Sequence, residues 1–214
     1  MSRPKIARKG TSIDMTAMCD VAFLLLSFFI LTTKPKASET INVVTPSSVS
    51  SKAAETKDVV LVTIDRNGKV FLSMDDEQKK ELIANTLNNT RGLNLNVAAF
   101  KKAEFWGTAF SQLPAYLALP AEKRTGDNLP GISIDTLAGP SELTEWMRLV
   151  NTAYAGQKMN LLLKGDNSSK YPSFKAVIDA FKKNDFLKFQ IITNPESVPI
   201  GSELFKENAA KAAK

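Results

Sequence analysis

An α+β domain, with helices packed on a mixed β-sheet and carried behind a single N-terminal transmembrane helix, is the fold class this sequence predicts. Three observations predict it. Residues 15–33 form a largely apolar run with one acid, residues 58–72 read as a β-hairpin, and residues 158–193 read as strand, helix and strand. The 214 residues are enough for one ordinary domain plus an attachment.

The apolar run, MTAMCDVAFLLLSFFILTT, extends about 28 Å as a helix, close to the roughly 30 Å hydrocarbon core of a bilayer. Asp20 opposes insertion by about 2.5–3.5 kcal/mol near a helix centre. The nine Val, Leu, Ile and Phe residues of the run offset it with about 3–5 kcal/mol in favour, so the segment still inserts. The flank MSRPKIARKG carries four bases and no acid, which puts the N-terminus in the cytoplasm and residues 34–214 across the membrane. A cleavable secretory signal is the rival reading, but an acid beside its apolar stretch and bulky residues near any cleavage point fit it poorly. At 100° per residue, Thr16 and Ser27 fall within about 40° of Asp20, so the span has one narrow polar stripe. An ionisable group at that depth must face a partner helix or a water-filled path, where it can exchange a proton. The bland alternative is an acid tolerated by the positive helix N-terminus, which a position two turns in disfavours.

Charge and composition exclude several classes. Lys and Arg number 28 against 22 Asp and Glu, a net charge of +6, and the first 36 residues carry +4 of it. The folded part is therefore nearly balanced, and no nucleic-acid partner is expected. The lone Cys19 excludes an internal disulfide framework, and the absence of His removes imidazole chemistry. No cofactor, metal or enzymatic activity is expected.

Beyond the span, residues 34–57 are rich in Ser, Thr, Lys and Ala and read as a mobile linker. Val59 to Ile64 and Val70 to Leu72 flank Asn67-Gly68, a strong hairpin signal. Asp75, Asp76 and Glu77 open a helix with Leu82, Ile83, Thr86 and Leu87 as its buried stripe, ended by Arg91-Gly92. A helix bent or restarted at Pro114 is expected over residues 109–119, and Ser141 starts another through Tyr154. Residues 159–163 suit an internal strand, and Pro172 suits a first helical turn with Phe174, Val177, Ile178 and Phe181 facing the core. Residues 186–193 read as a final strand and residues 201–214 as a flexible tail. Two further features invite a ligand. Gly165 to Ser169 could hold an anion or form a turn with Asp and Ser satisfying the end of the helix that follows, and the aromatics Phe100, Phe105, Trp106, Phe110 and Tyr116 could dock a peptide or glycan or fill a core.

The segment IDMTAMCDVAFLLLSFFI, residues 13–30, resembles the N-terminal helix of the ExbD/TolR family, with an aspartate followed by valine and a Phe-Leu-Leu-Leu run ending in paired phenylalanines. Residues 39–46 resemble the extended segment that follows that helix and ends in proline, although Thr45 stands where a leucine is usual. Residues 58–72 and 158–193 resemble the family's first hairpin and its closing strand, helix and strand. Residues 91–157 depart from the pattern as an insert, so the chain is similar to a longer version of ExbD.

The resemblance implies a single-pass protein of the inner membrane of a Gram-negative bacterium. Its parts would be a cytoplasmic tail (1–12), a span (13–33), a linker (34–57), a periplasmic domain (58–200) and a tail (201–214). It further implies a homodimer through the span and the periplasmic domain, inside a ring of an ExbB- or TolQ-like polytopic partner. There Asp20 takes up and releases protons and drives a TonB-like protein in transport across the outer membrane; Thr16 and Ser27 join it by helical phase alone. The alternatives are a TolR-like envelope-maintenance role that engages peptidoglycan, and a static anchor for a binding domain.

Overall fold

The computed structural model describes residues 15–32, 40–49, 54–134 and 141–206. The expected cytoplasmic tail, the last residues of the C-terminal tail and parts of the expected linker and insert lie outside them. The chain divides into two compact units, residues 1–39 and residues 40–214. In the first, helix α1 runs Met15–Thr32 and has no buried residue. It is the one helix among the described residues long and apolar enough to cross a membrane.

The second unit is the expected α+β domain. Strands β2 (Val59–Ile64), β3 (Val70–Met74), β4 (Asn160–Gly165) and β5 (Gln190–Ile192) form a mixed sheet in the order β3-β2-β4-β5. β3 is antiparallel to β2, whereas β4 is parallel to β2 and to β5. Two residues each of β1 (Ser47–Ser48) and β6 (Asn194–Pro195) pair in parallel as a separate small sheet. In the β2–β3 hairpin the left-handed residue is Gly68, at φ 82°. Gly68 N–H donates to Asp65 O at 3.0 Å, and the Asp65 carboxylate accepts from the amides of Asn67 and Lys69, each at 2.8 Å. Only glycine adopts that φ without strain, which is why the chain turns there.

The register places Val60, Val62, Ile64, Val70, Leu72, Met74, Leu161 and Leu163 on one face, all buried. Helices α2 (Glu77–Arg91), α5 (Glu142–Ala153) and α6 (Tyr171–Lys183) supply the rest of that core. Asp76 caps α2 by accepting from the amides of Gln78 and Lys79, and Gly92 at φ 63° ends it. The buried stripe of α2 is Lys80, Ile83, Ala84 and Leu87, at the i, i+3, i+4, i+7 spacing of one face. Leu82, expected in that stripe, lies off this face and is 48% exposed. Lys80 enters because its ammonium reaches the carbonyls of Lys101 and Ala103, at 3.3 and 3.1 Å, over the ring of Trp106. In α6, Val177, Ala180 and Phe181 are buried and Phe174 packs against the core from its edge.

The insert packs back onto the sheet. Helices α3 (Val97–Lys102) and α4 (Leu113–Ala118) frame it, with α4 entered from a 3-10 turn, Phe110–Gln112, and Pro114 in its first turn. Trp106 exchanges both backbone hydrogen bonds with Leu72, and Ile132 forms a bridge with Val70. These two bridges cover the outer edge of β3. Phe71, pointing to the opposite face from Val70 and Leu72, is buried against Phe105 and against Gly107, where any Cβ would stand 2.2 Å from the ring. The insert therefore wraps around the sheet edge. Phe100, Trp106, Trp146 and Phe110 stack in succession with centroids 4.5, 5.7 and 5.0 Å apart, and all four are buried.

Three expectations need correction. The final strand spans three residues, not eight, because Asp185 turns at φ 63° and Phe186 N–H returns to Phe181 O. Phe186 and Phe189 pack against the core instead of extending the strand. Residues 40–49, expected as mobile linker, are hydrogen-bonded to the domain. In the tail, residues 203–206 form a helical turn in which Phe205 N–H donates to Ser202 Oγ.

The stack sets the stability of the insert. Trp146→Ala is expected to cost about 3–5 kcal/mol in urea unfolding followed by circular dichroism, and Leu82→Ala less than about 1 kcal/mol. Equal effects would mean that the stack is not core.

Candidate functional site

Helix α1 presents apolar surface around most of its circumference, interrupted by one narrow polar stripe. Phe23, Leu24, Leu25, Phe28, Phe29 and Leu31 are exposed around it, and its 18 residues rise about 27 Å. An apolar surface of this extent is solvated by lipid or by partner helices, because water disfavours it. Asp20, the only carboxylate among those residues, lies in the second turn. Thr16 one turn before it and Ser27 two turns after it share its face. Ser27 Oγ donates to Leu24 O at 2.9 Å, which satisfies the hydroxyl hydrogen within the helix and leaves oxygen lone pairs outward. The helix thus carries one acid with hydroxyl neighbours on an otherwise apolar rod, an arrangement that can take up a proton and present either a neutral or a charged surface to what surrounds it.

The second unit has a different feature of note, centred on Asp166. Its Oδ2 accepts from Val44 N–H at 2.9 Å and its Oδ1 from Ser168 N–H at 2.8 Å. Asn167 N–H in turn donates to Val44 O at 2.8 Å. The Val44 amide first, then that of Ser168, hold the Asp166 carboxyl below the usual carboxylate range, against the opposing effect of burial. Residues 165–169 form a turn in which Asp166 occupies the amides of Val44 and Ser168, but neither Asp nor Ser satisfies the start of α6, since Lys170 precedes that helix and gives it no side-chain cap. The Asp-x-Ser turn was visible in the sequence; the partner Val44, 122 positions away, had no local signal.

The aromatic cluster is core and offers no docking platform, since Trp106, Phe100, Phe110, Phe105 and Tyr116 are all buried. Tyr116 donates its hydroxyl to Phe105 O, and burial pushes its pKa up to about 12, so it stays a donor at neutral pH. Burial lowers Lys80, whose ammonium serves the C-terminal carbonyls of α3. No group of three or more His, Cys, Asp or Glu able to hold a metal exists among the described residues.

A family model for the biopolymer transport protein ExbD/TolR matches residues 7–196. The chain belongs to the ExbD/TolR family. Comparison with curated proteins and with solved structures gives no significant match. The matched region includes α1, the segment docked on Asp166, the whole sheet and the insert. ExbD/TolR proteins serve energy transduction in biopolymer transport, generally with ExbB/TolQ and TonB/TolA partners. The apolar helix together with the family fits a single-pass inner-membrane protein.

Because the Asp166 pKa is depressed, its hold on Val44 is complete above the ordinary value of 3.8 and is lost as pH falls through the lower folded value. An NMR titration of the Val44 amide is expected to show its transition below pH 3.8, and Asp166→Ala is expected to abolish that transition. A transition near neutral pH would contradict the assignment.

Proposed function

We propose that this chain is the ExbD-type subunit of an inner-membrane motor, in which proton flow through Asp20 powers TonB-dependent transport across the outer membrane. One observation carries the reading: Asp20 is the single carboxylate on a fully exposed apolar helix. The N-terminus lies in the cytoplasm and the folded domain in the periplasm, as the basic flank favours. Asp20 is protonated from the periplasmic side, moves while neutral within a ring of an ExbB-like partner, and releases its proton toward the cytoplasm. Each charge crossing the field supplies about 2.3 kcal/mol per 100 mV. Thr16 and Ser27, on the same face, accept or relay hydrogen bonds as the carboxyl changes state.

Two copies of α1 pair in the ring, and the domains pair with them. The open edge of the sheet supports a partner of extended backbone. The outer side of β3 is bridged by Trp106 and Ile132, while β5 ends the sheet with no further strand beside it among the described residues. A TonB-like segment adds there by main-chain hydrogen bonding.

The test is energy-dependent uptake of a large iron chelate in cells whose only copy carries Asp20→Asn, with membrane levels checked by immunoblot. Uptake is expected to be lost at normal level. Retained uptake with lost envelope integrity would place the chain in a TolR-type role, and retention of both would reduce it to a static anchor.

A further inference from the structure

Residues 40–48 run along the folded domain outside the four-stranded sheet and are fastened at three places. Nearest the membrane helix in sequence, Gly126 N–H donates to Thr40 O at 2.9 Å, and Ile41 lies on Gly126 so closely that a Cβ there would stand 3.3 Å from its Cγ2. Thr40 Oγ1 also reaches Glu104 Oε2 at 3.4 Å. In the middle, Asp166 and Asn167 bind the two backbone groups of Val44. At the far end, Asn194 N–H donates to Pro46 O and its side-chain amide to Thr45 O, where β1 and β6 pair.

Only the first fastening belongs to the insert, and the insert is itself held for the purpose. Gly126 sits in a buried position of a 3-10 turn, Gly126–Asn128. The Lys69 ammonium, reaching over from the β2–β3 hairpin, lies at 2.8 Å from Leu129 O, 3.2 Å from Asp127 O and 3.5 Å from Gly126 O. A cation gathered by three carbonyls fixes that turn against the hairpin, and the turn then offers an amide and a surface bare of side chain to the passing chain.

We infer that the insert is a clasp, in which the turn at Gly126, positioned by Lys69, holds Thr40 and Ile41 and so keeps the whole segment 40–48 on the domain. The three fastenings lie on one continuous stretch of nine residues, so freeing the first raises the entropy that the other two must hold down. On the motor reading, tension transmitted along the chain from α1 arrives at residue 40 before residues 44 or 46. The clasp is then the contact that decides whether the pull stops at the insert or passes on.

The test is amide hydrogen exchange of the full chain in lipid nanodiscs, comparing the wild type with Ile41→Ala, Gly126→Val and Lys69→Met. Exchange at Val44, whose own acceptor Asp166 is untouched, is expected to speed about tenfold or more in all three variants. Exchange at Val62 and Leu163 in the sheet is expected to stay unchanged. Val44 protection unaltered in Ile41→Ala, with the sheet intact, would overturn the clasp. Ile41 lies on the segment and outside the sheet, so this variant decides even where Gly126→Val or Lys69→Met loosens the domain. Asp20→Asn is expected to leave Val44 exchange as in the wild type, so failure of the proton reading and failure of the clasp are read separately.

Discussion

The parallel pairing of β2 with β4 is the constraint from which the folded domain follows. It joins Val59 to Asn160 and Ile64 to Gly165, and the Asn160 side chain adds a hydrogen bond to Lys57 O across 103 positions. Parallel neighbours cannot be joined by a tight turn, so everything between them must cross over and find its own cover. The hairpin to β3 and helix α2 make the first part of that crossing. The insert, which includes α5, makes the rest, with the edge of β3 and the ring of Phe71, buried against Phe105, as its foundation.

This explains why so many aromatics sit in residues 91–157. Closing a long crossover costs chain entropy, which rises slowly with length but has to be met by burial within the crossover itself. Stacked Phe100, Trp106, Trp146 and Phe110 bury large rings with few rotatable bonds, and Trp106 anchors the stack to the sheet through the backbone of Leu72. Arg91, over the ring of Phe110 and paired with Glu145, closes the same stack where α2 meets α5. Because the insert covers the β3 edge, β5 is the terminal strand with no other strand beside it among the described residues. A short edge strand limits unwanted pairing while leaving main-chain groups for a specific one.

The two units divide the work by solvent. Helix α1 has no buried residue and carries its single acid, Asp20, among exposed apolar side chains. The domain holds its ionisable groups in structural service: Asp166 on backbone amides, Lys80 and Lys69 on backbone carbonyls. Residues 40–48 belong to the second unit, so the chain that follows the span is engaged with the folded domain from Thr40 onward.

Much of this was legible without the structure. The apolar helix with its Asp20, the Asn-Gly hairpin, the Ser141 cap, the Gly92 stop and the Pro172 start all act within a few residues along the chain, and local chemistry announces them; of the acids expected in the first turn of α2 only Glu77 lies there, Asp76 being its cap. The tertiary structure alone decided that Lys80 goes in and Leu82 stays out, that β5 ends after three residues, that the aromatics of the insert face inward, and that residues 40–49 are docked. Three of those outcomes depend on a partner brought from far along the chain, Ala103 for Lys80, Leu72 for Trp106 and Asp166 for Val44, whereas the shortness of β5 comes from the turn at Asp185, where Phe186 N–H returns to Phe181 O. Periodicity and capping report what a residue does with its neighbours in sequence; long-range pairing is settled only when packing chooses among the surfaces those elements present.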